Sequence, residues 1–298
     1  MAEETMSFLS GQKPVFRFAP SPNGRLHLGH ALSAILNHDM AKDEGGRFLL
    51  RIEDIDVVRC TPELEQRIYE DLTWLGLSWD EPVRRQSENF DDYRQGLEKL
   101  IGIGLAYPSF MSRSETKAFV RDYEANSKIW PRDPDGAALY PPLDKQRPAQ
   151  EVATLLSSNI QHAWRLDMDK AISHLRHSLE WSETGNGDNT LIKADPAVWG
   201  DVILSRSDAP SSYHLSVVLD DALQGVTHVV RGMDLFDATS IHRLLQTLLE
   251  LPVPEYHHHR LVFDETGKKL SKSIGSTGLW ALRAQGHTPS DIRSLLGV

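Results

Sequence analysis

Phe18-Ala19-Pro20-Ser21-Pro22-Asn23-Gly24-Arg25-Leu26-His27-Leu28-Gly29-His30 separates two stretches of unlike periodicity. Before it, Val15-Phe16-Arg17-Phe18-Ala19 reads as a short buried strand. After it, Leu28, Leu32, Ile35, Leu36 and Met40 fall on one helical face until Gly45-Gly46 stops the run. A strand, a glycine-containing turn and a helix in this order predict a nucleotide site in an open α/β sheet. The amides at the helix start are unpaired there and attract phosphate. The two prolines stiffen the turn, Gly24 permits a close backbone approach, and Gly29 is expected to leave room above the first helical turn for a flat base. His27 and His30, three apart, can face one phosphate from the same side of the helix; the same spacing also describes an exposed pair.

A chain of 298 residues, 40% hydrophobic and 25% charged, can bury a full core and hold two domains. No apolar run approaches the roughly 18 residues of a membrane span, and the acidic start lacks a signal-peptide pattern, so a cytoplasmic protein without membrane association is expected. Cys60 is the only cysteine, which excludes an internal disulfide and a multi-cysteine zinc cluster. The net charge of -10 argues against broad, sequence-independent nucleic-acid binding. An RNA substrate would be met by a small local patch.

Arg47 to Asp56 reads as a second strand running out into acidic residues, Glu53-Asp54-Ile55-Asp56, which at the carboxyl edge of a parallel sheet would enter a ligand crevice. The alternative is a solvated acidic loop. Thr61 and Pro62 cap a helix to about Leu75, and Asp91 to Ile101 forms another. From Ala106 to Asp195 periodicity weakens and turns multiply, which is read as an insertion (106–195) between two halves (1–105 and 196–298) of a nucleotide-binding fold. Val198 to Arg206 regains strand character, and Asp237 to Glu250 is a clear amphipathic helix. The adjacent His257, His258 and His259 cannot all face one metal from a strand; a structural or ATP-side role is assigned to them instead.

The Pro-Ser-Pro-Asn-Gly and His-Leu-Gly-His strings resemble the HIGH signature of class I aminoacyl-tRNA synthetases, in the form carried by the glutamyl and glutaminyl enzymes. Three further blocks resemble the same group: Arg51 to Asp56, Tyr213 to Gly232, and Lys269-Leu270-Ser271-Lys272-Ser273, which is similar to KMSKS. The resemblance implies a Rossmann-like doubly wound parallel sheet with an inserted subdomain, the class I catalytic core. It implies ATP and Mg2+ as co-substrates, with ATP held by His27, Gly29, His30, Lys269 and Lys272. Of these, His27, His30 and Lys272 would be catalytic, Lys272 by neutralising the departing pyrophosphate. It implies L-glutamate held by Arg17, Phe18, Ala19, Pro20, Ser21, Glu53, Tyr213 and Arg231, with Glu53 accepting from the ammonium group. Arg231 would pair bidentately with the side-chain carboxylate, where a neutral amide would leave it undersatisfied. Tyr213 as a core residue, and Arg231 paired with Asp220 or Asp221, are the alternatives.

Two departures matter. Relatives often hold zinc in the insertion through a Cys-x-Cys and Tyr-x-x-x-Cys pattern, where this chain has Ser109, Met111, Tyr140 and Asp144. No zinc or other protein-bound metal is therefore expected, and packing of Phe110, Trp130 and Tyr140 would take its place. Val217 stands where glutamyl enzymes usually carry Asn, so an altered substrate pocket is expected. The chain ends at Val298, without room for an anticodon-binding domain, which is the arrangement of truncated paralogues of glutamyl enzymes. That likeness implies a monomer that transfers glutamate to queuosine at the wobble position of the tRNA(Asp) anticodon stem-loop. Another HIGH-type nucleotidyltransferase, or a catalytically silent glutamate- or RNA-binding paralogue, is the alternative.

Overall fold

A computed structural model describes residues 13–125, 127–206, 209–263 and 278–298. In chain order the strands and helices are β1 (Val15–Phe18), α1 (Leu28–Asp43), β2 (Arg47–Ile52), α2 (Pro62–Trp74), β3 (Asp80–Arg85), α3 (Phe90–Gly102), β4 (Ala106–Ser109) and α4 (Arg113–Glu124). There follow α5 (Ala149–Ser157), β5 (Ala163–Leu166), α6 (Met168–Ser173), β6 (Glu180–Glu183), β7 (Thr190–Lys193) and β8 (Ile203–Ser205). The last are α7 (Tyr213–Leu223), β9 (His228–Gly232), α8 (Thr239–Leu248), β10 (Glu255–His259), α9 (Leu279–Ala284) and α10 (Pro289–Leu296).

Among the described residues, seven strands form one sheet in the order β3-β2-β1-β9-β10-β6-β7, parallel except where β7 pairs antiparallel with β6. The order reverses between β1 and β9, and at such a switch point the crevice beyond the strand ends is the ligand site. A second, three-stranded sheet, β4-β5-β8, is antiparallel. Hydrogen bonding therefore places β6 and β7, from within 106–195, in the main sheet, and β8, from beyond it, in the small one.

Period-2 alternation divides the core. Phe16, Phe18, Phe48, Leu50, Ile52 and Val230 face α1 and α2 on one side of the sheet. Val15, Leu49, Val229, Tyr256 and Trp181 face α3, α7 and α8 on the other. The strand from Val198 to Arg206 is shorter than its composition predicts. Pro196–Trp199 is one 3-10 turn and Gly200 adopts φ +58, so only Ile203–Ser205 extends.

In the small-sheet region, the half-buried Trp130 packs edge-on to Phe119 and Tyr123, 5.2 and 4.9 Å between ring centroids. The buried centre beside it is polar, in contrast to the apolar packing expected from Phe110, Trp130 and Tyr140. Asp144 accepts from the backbone amides of Phe110 (2.7 Å) and Met111 (3.2 Å), from Arg147 Nε (2.7 Å) and from the Tyr140 hydroxyl. Burial alone would raise this carboxyl, but its donors outweigh that and hold it below the usual range. Ser109 donates to the Ala163 carbonyl. Among the described residues no three His, Cys, Asp or Glu groups are placed to hold a metal ion, and no described helix is long and apolar enough to cross a membrane.

Candidate active site

The crevice at the β1/β9 switch point is a cleft of about 370 Å³. It is lined by Arg17 to Ser21 from the end of β1, by His27, Gly29 and His30 at the start of α1, by Glu53 after β2, by Tyr213 at the start of α7 and by Arg231 at the end of β9. Lys269 and Lys272 lie outside the described residues. The chain on either side of residues 264–277 borders this cleft, since Val262 lines it and Gly278 bridges to His27.

The helix start fixes both imidazoles. His27 is the N-cap of α1, with Nδ1 accepting from the Gly29 amide at 3.1 Å, and His30 Nδ1 accepts from the His27 amide at 3.1 Å. With both Nδ1 atoms used as acceptors, each neutral ring carries its proton on Nε2. The rings sit 3.8 Å apart. A Cβ on Gly29 would lie 3.0 Å from the His27 ring, so the glycine makes room for the capping imidazole.

The same alternation that sorts the core aligns the charges. Arg17 follows Val15, Arg51 follows Leu49, Arg231 follows Val229, His258 follows Tyr256 and Glu183 follows Trp181, each two residues on and therefore on the α7 side of the sheet, and Glu53 comes two residues after Arg51. Above them, Asp221 on α7 accepts from Arg17 Nε (3.1 Å) and Arg51 Nη1 (2.8 Å). Burial raises Asp221, but the two guanidinium groups outweigh it and hold the carboxyl below its usual range. Asp220 takes Arg84 Nε (2.7 Å), Gln86 (2.8 Å) and the Tyr93 hydroxyl. Glu53 accepts from Arg51 Nη2 at 3.2 Å; burial outweighs Arg51 and Arg17 there, and its carboxyl is raised.

Arg231 is thus free of both aspartates. Its Nε donates to His258 Nε2 (3.1 Å), Nη1 to His242 Nδ1 (3.0 Å), and Nη2 to Thr239 Oγ1 (2.7 Å) and the Leu235 carbonyl (3.1 Å). Every acceptor is neutral. Burial, followed by the Arg231 charge, pushes His242 well down and His214 to about 4. His214 Nδ1 lies 3.2 Å from His242 Nε2, so His242 donates to it and offers Nδ1 to Arg231. Among the described residues four of the five N–H groups are used, leaving one on Nη1. One N–H of the fork is left without an acceptor, and no carboxylate meets the charge, among the described residues. The Tyr213 hydroxyl, kept protonated by burial, lines the same cleft. Val217 is buried in the core and is not part of its lining.

A neighbouring cleft of about 590 Å³ shares Ser21, Glu53 and Tyr213 with the first and reaches Arg165, Trp199 and Tyr140 beside the small sheet. The buried Trp199 indole N–H has no acceptor among the described residues, and Arg165 stacks over Tyr140 at 3.7 Å. Residue-by-residue reading singled out neither this cleft nor Arg51, Glu183, His214 and His242. The apolar-x-charged ends of β2 and β6 were the available signal for Arg51 and Glu183.

Residues 14–296 match the family described as tRNA synthetases class I (E and Q), catalytic domain. The chain belongs to this family and is a ligase of the aminoacyl-tRNA synthetase type. It is 48% identical, over 95% of its length and all of the relative's, to Glutamyl-Q tRNA(Asp) synthetase of Rhodobacter capsulatus. It is 35% identical over 94% of its length to a glutamate–tRNA ligase of Prochlorococcus marinus, of which it spans 58%. A crystal structure of a glutamate tRNA ligase from Elizabethkingia meningosepticum, in complex with its amino acid, superposes with a TM-score of 0.73 at 27% identity; it covers 93% of this chain, which spans 54% of that one.

Proposed function

We propose that the chain activates L-glutamate with ATP, without needing tRNA, and transfers the glutamyl group to the cyclopentenediol of queuosine at the wobble position of tRNA(Asp). One observation carries this reading: a single cleft at the sheet's switch point gathers Arg17, Glu53, Tyr213 and Arg231 beside the two imidazoles that open α1. The 48% identity to Glutamyl-Q tRNA(Asp) synthetase, over that protein's whole length, supports the choice of acceptor.

In the first step an oxygen of the glutamate α-carboxylate attacks the ATP α-phosphorus in line, and the bond to pyrophosphate breaks. The Nε2–H groups of His27 and His30 donate to phosphate oxygens as charge moves onto them. Lys269 and Lys272 are assigned to ATP, with Lys272 on the leaving group. Magnesium enters with ATP and neutralises phosphate charge. The ammonium group is placed against Glu53, and the γ-carboxylate against the remaining N–H of Arg231 and the Tyr213 hydroxyl. In the second step a hydroxyl of the diol attacks the activated carbonyl, passes its proton to a phosphate oxygen of the adenylate, and AMP leaves. The acceptor reaches that carbonyl through the neighbouring cleft, whose shared residues Ser21, Glu53 and Tyr213 border both.

The test is an anticodon stem-loop of tRNA(Asp) carrying either queuosine or guanosine at the wobble position, incubated with ATP and radiolabelled glutamate. Label is expected on the queuosine form alone. Label on a tRNA(Glu) 3′ end, with none on the stem-loop, would overturn the acceptor.

A further inference from the structure

We infer that Glu183 is a positioning residue for the substrate's side-chain carboxylate: through His258 it fixes the imidazole tautomer that aims Arg231 into the cleft. The inference deepens the proposed reading, on which the identity of that carboxylate rests.

Glu183 ends β6, two strands away from Arg231, is 3% exposed, and lines neither cleft. Its Oε1 accepts from the backbone amides of His258 (2.9 Å) and Gly185 (2.9 Å), and its Oε2 from His258 Nδ1 (2.6 Å) and Trp181 Nε1 (3.3 Å). Burial would raise this carboxyl, but the donors outweigh it, led by the His258 side chain, and hold it down at about 2. An ionised carboxylate only accepts, so the proton on His258 must sit at Nδ1. His258 Nε2 is then a lone pair, and it is this atom that receives Arg231 Nε at 3.1 Å.

Reversing the tautomer sets Nε2–H against the Arg231 Nε–H. Two donors would face each other in a buried place, and the guanidinium would have to turn. The turn after β6 is built onto β10 at this point. A Cβ on Gly185 would fall 2.3 Å from the His258 carbonyl oxygen and 2.8 Å from Glu183 Oε1, so the close approach that seats the carboxylate requires glycine.

Glu183→Gln separates charge from shape. If the amide keeps its oxygen on the two backbone N–H groups, which cannot change, its NH2 faces His258 Nδ1. The imidazole can change, so its proton moves to Nε2. In two-bond 1H–15N spectra of histidine-labelled protein, His258 is expected to carry its proton on Nδ1 in the native chain and on Nε2 in the variant. In ATP–pyrophosphate exchange, KM for glutamate is expected to rise roughly 10- to 100-fold, the scale on which outer partners of a fixed binding group act, with KM for ATP and kcat little changed. The pair His258→Gln and His258→Leu asks the same question independently. Glutamine can donate toward Glu183 and accept from Arg231, so it is expected to stay near the native KM while leucine raises it. An Nδ1–H tautomer that survives Glu183→Gln, or glutamine and leucine variants with equal KM, would overturn the inference. The tautomer measurement needs no substrate, so a native chain inert toward glutamate, a failure of the functional reading, is told apart from a relay that does not exist.

Discussion

Arg231→Ala is expected to lower kcat/KM for glutamate-dependent ATP–pyrophosphate exchange by about 10³- to 10⁴-fold, roughly 4–5.5 kcal/mol. The size follows from the burial of the group and from what surrounds it. Arg231 is 5% exposed, and among the described residues its charge is met only by neutral acceptors. A glutamate γ-carboxylate brought there without the guanidinium would lose its hydration and meet only Arg17, whose charge is already shared with Asp221. Arg231→Lys keeps the charge but not the fork, leaving most of the four acceptors without donors, so it is expected to recover only part of the loss. The binding of ATP, proposed to lie against His27 and His30, should be spared in both variants. Exchange kinetics against glutamate and ATP concentration decide the point, and an alanine variant with native kcat/KM would refute the role.

His27→Asn is the second large effect, because the substitution divides the observed cap from the proposed role in the chemistry. As N-cap, His27 accepts from the Gly29 amide, and asparagine is among the best residues for that place. In the proposed role as donor to phosphate it would present Nε2–H, which the shorter asparagine could not do. A fall in kcat of about 10²- to 10³-fold is expected, with the melting temperature within about 3 °C of the native value. His27→Ala should show the same kinetic loss and, in addition, cost about 1 kcal/mol of stability. Native kcat in the asparagine variant would remove His27 from the chemistry.

Much of this was legible in the sequence, for reasons that differ from element to element. The turn from Phe18 to His30 is local: prolines, glycine and the helical face after it specify strand, turn and helix without help from the rest of the chain. The 10-residue helix α8 and the capped helix α2 were equally readable, because burial on one face imposes its own period. What the sequence conceals is which strand lies beside which. Glu183 and Arg231 are 48 positions apart, and only the pairing of β6 with β10 and of β10 with β9 makes a line of Glu183, His258 and Arg231. Likewise, Asp221 is claimed by Arg17 and Arg51 rather than by Arg231 because α7 lies over β1 and β2 at that end. The three adjacent histidines illustrate the limit well. Their spacing argued against a common metal, but not for the opposite fates of His257, whose Nδ1 meets Thr184, and His258, which meets Glu183 and Arg231. Asp144 is a further case, since a lone carboxylate in a turn-rich stretch gives no sign that two backbone amides, a phenol and a guanidinium converge on it.

The central claim is that one cleft joins an acidic amino acid to ATP, and amino-acid-dependent ATP–pyrophosphate exchange with no RNA present tests it most directly. Exchange with L-glutamate, and little with L-glutamine or L-aspartate, is the predicted result. Equal exchange with glutamine, or none with glutamate, would contradict the account.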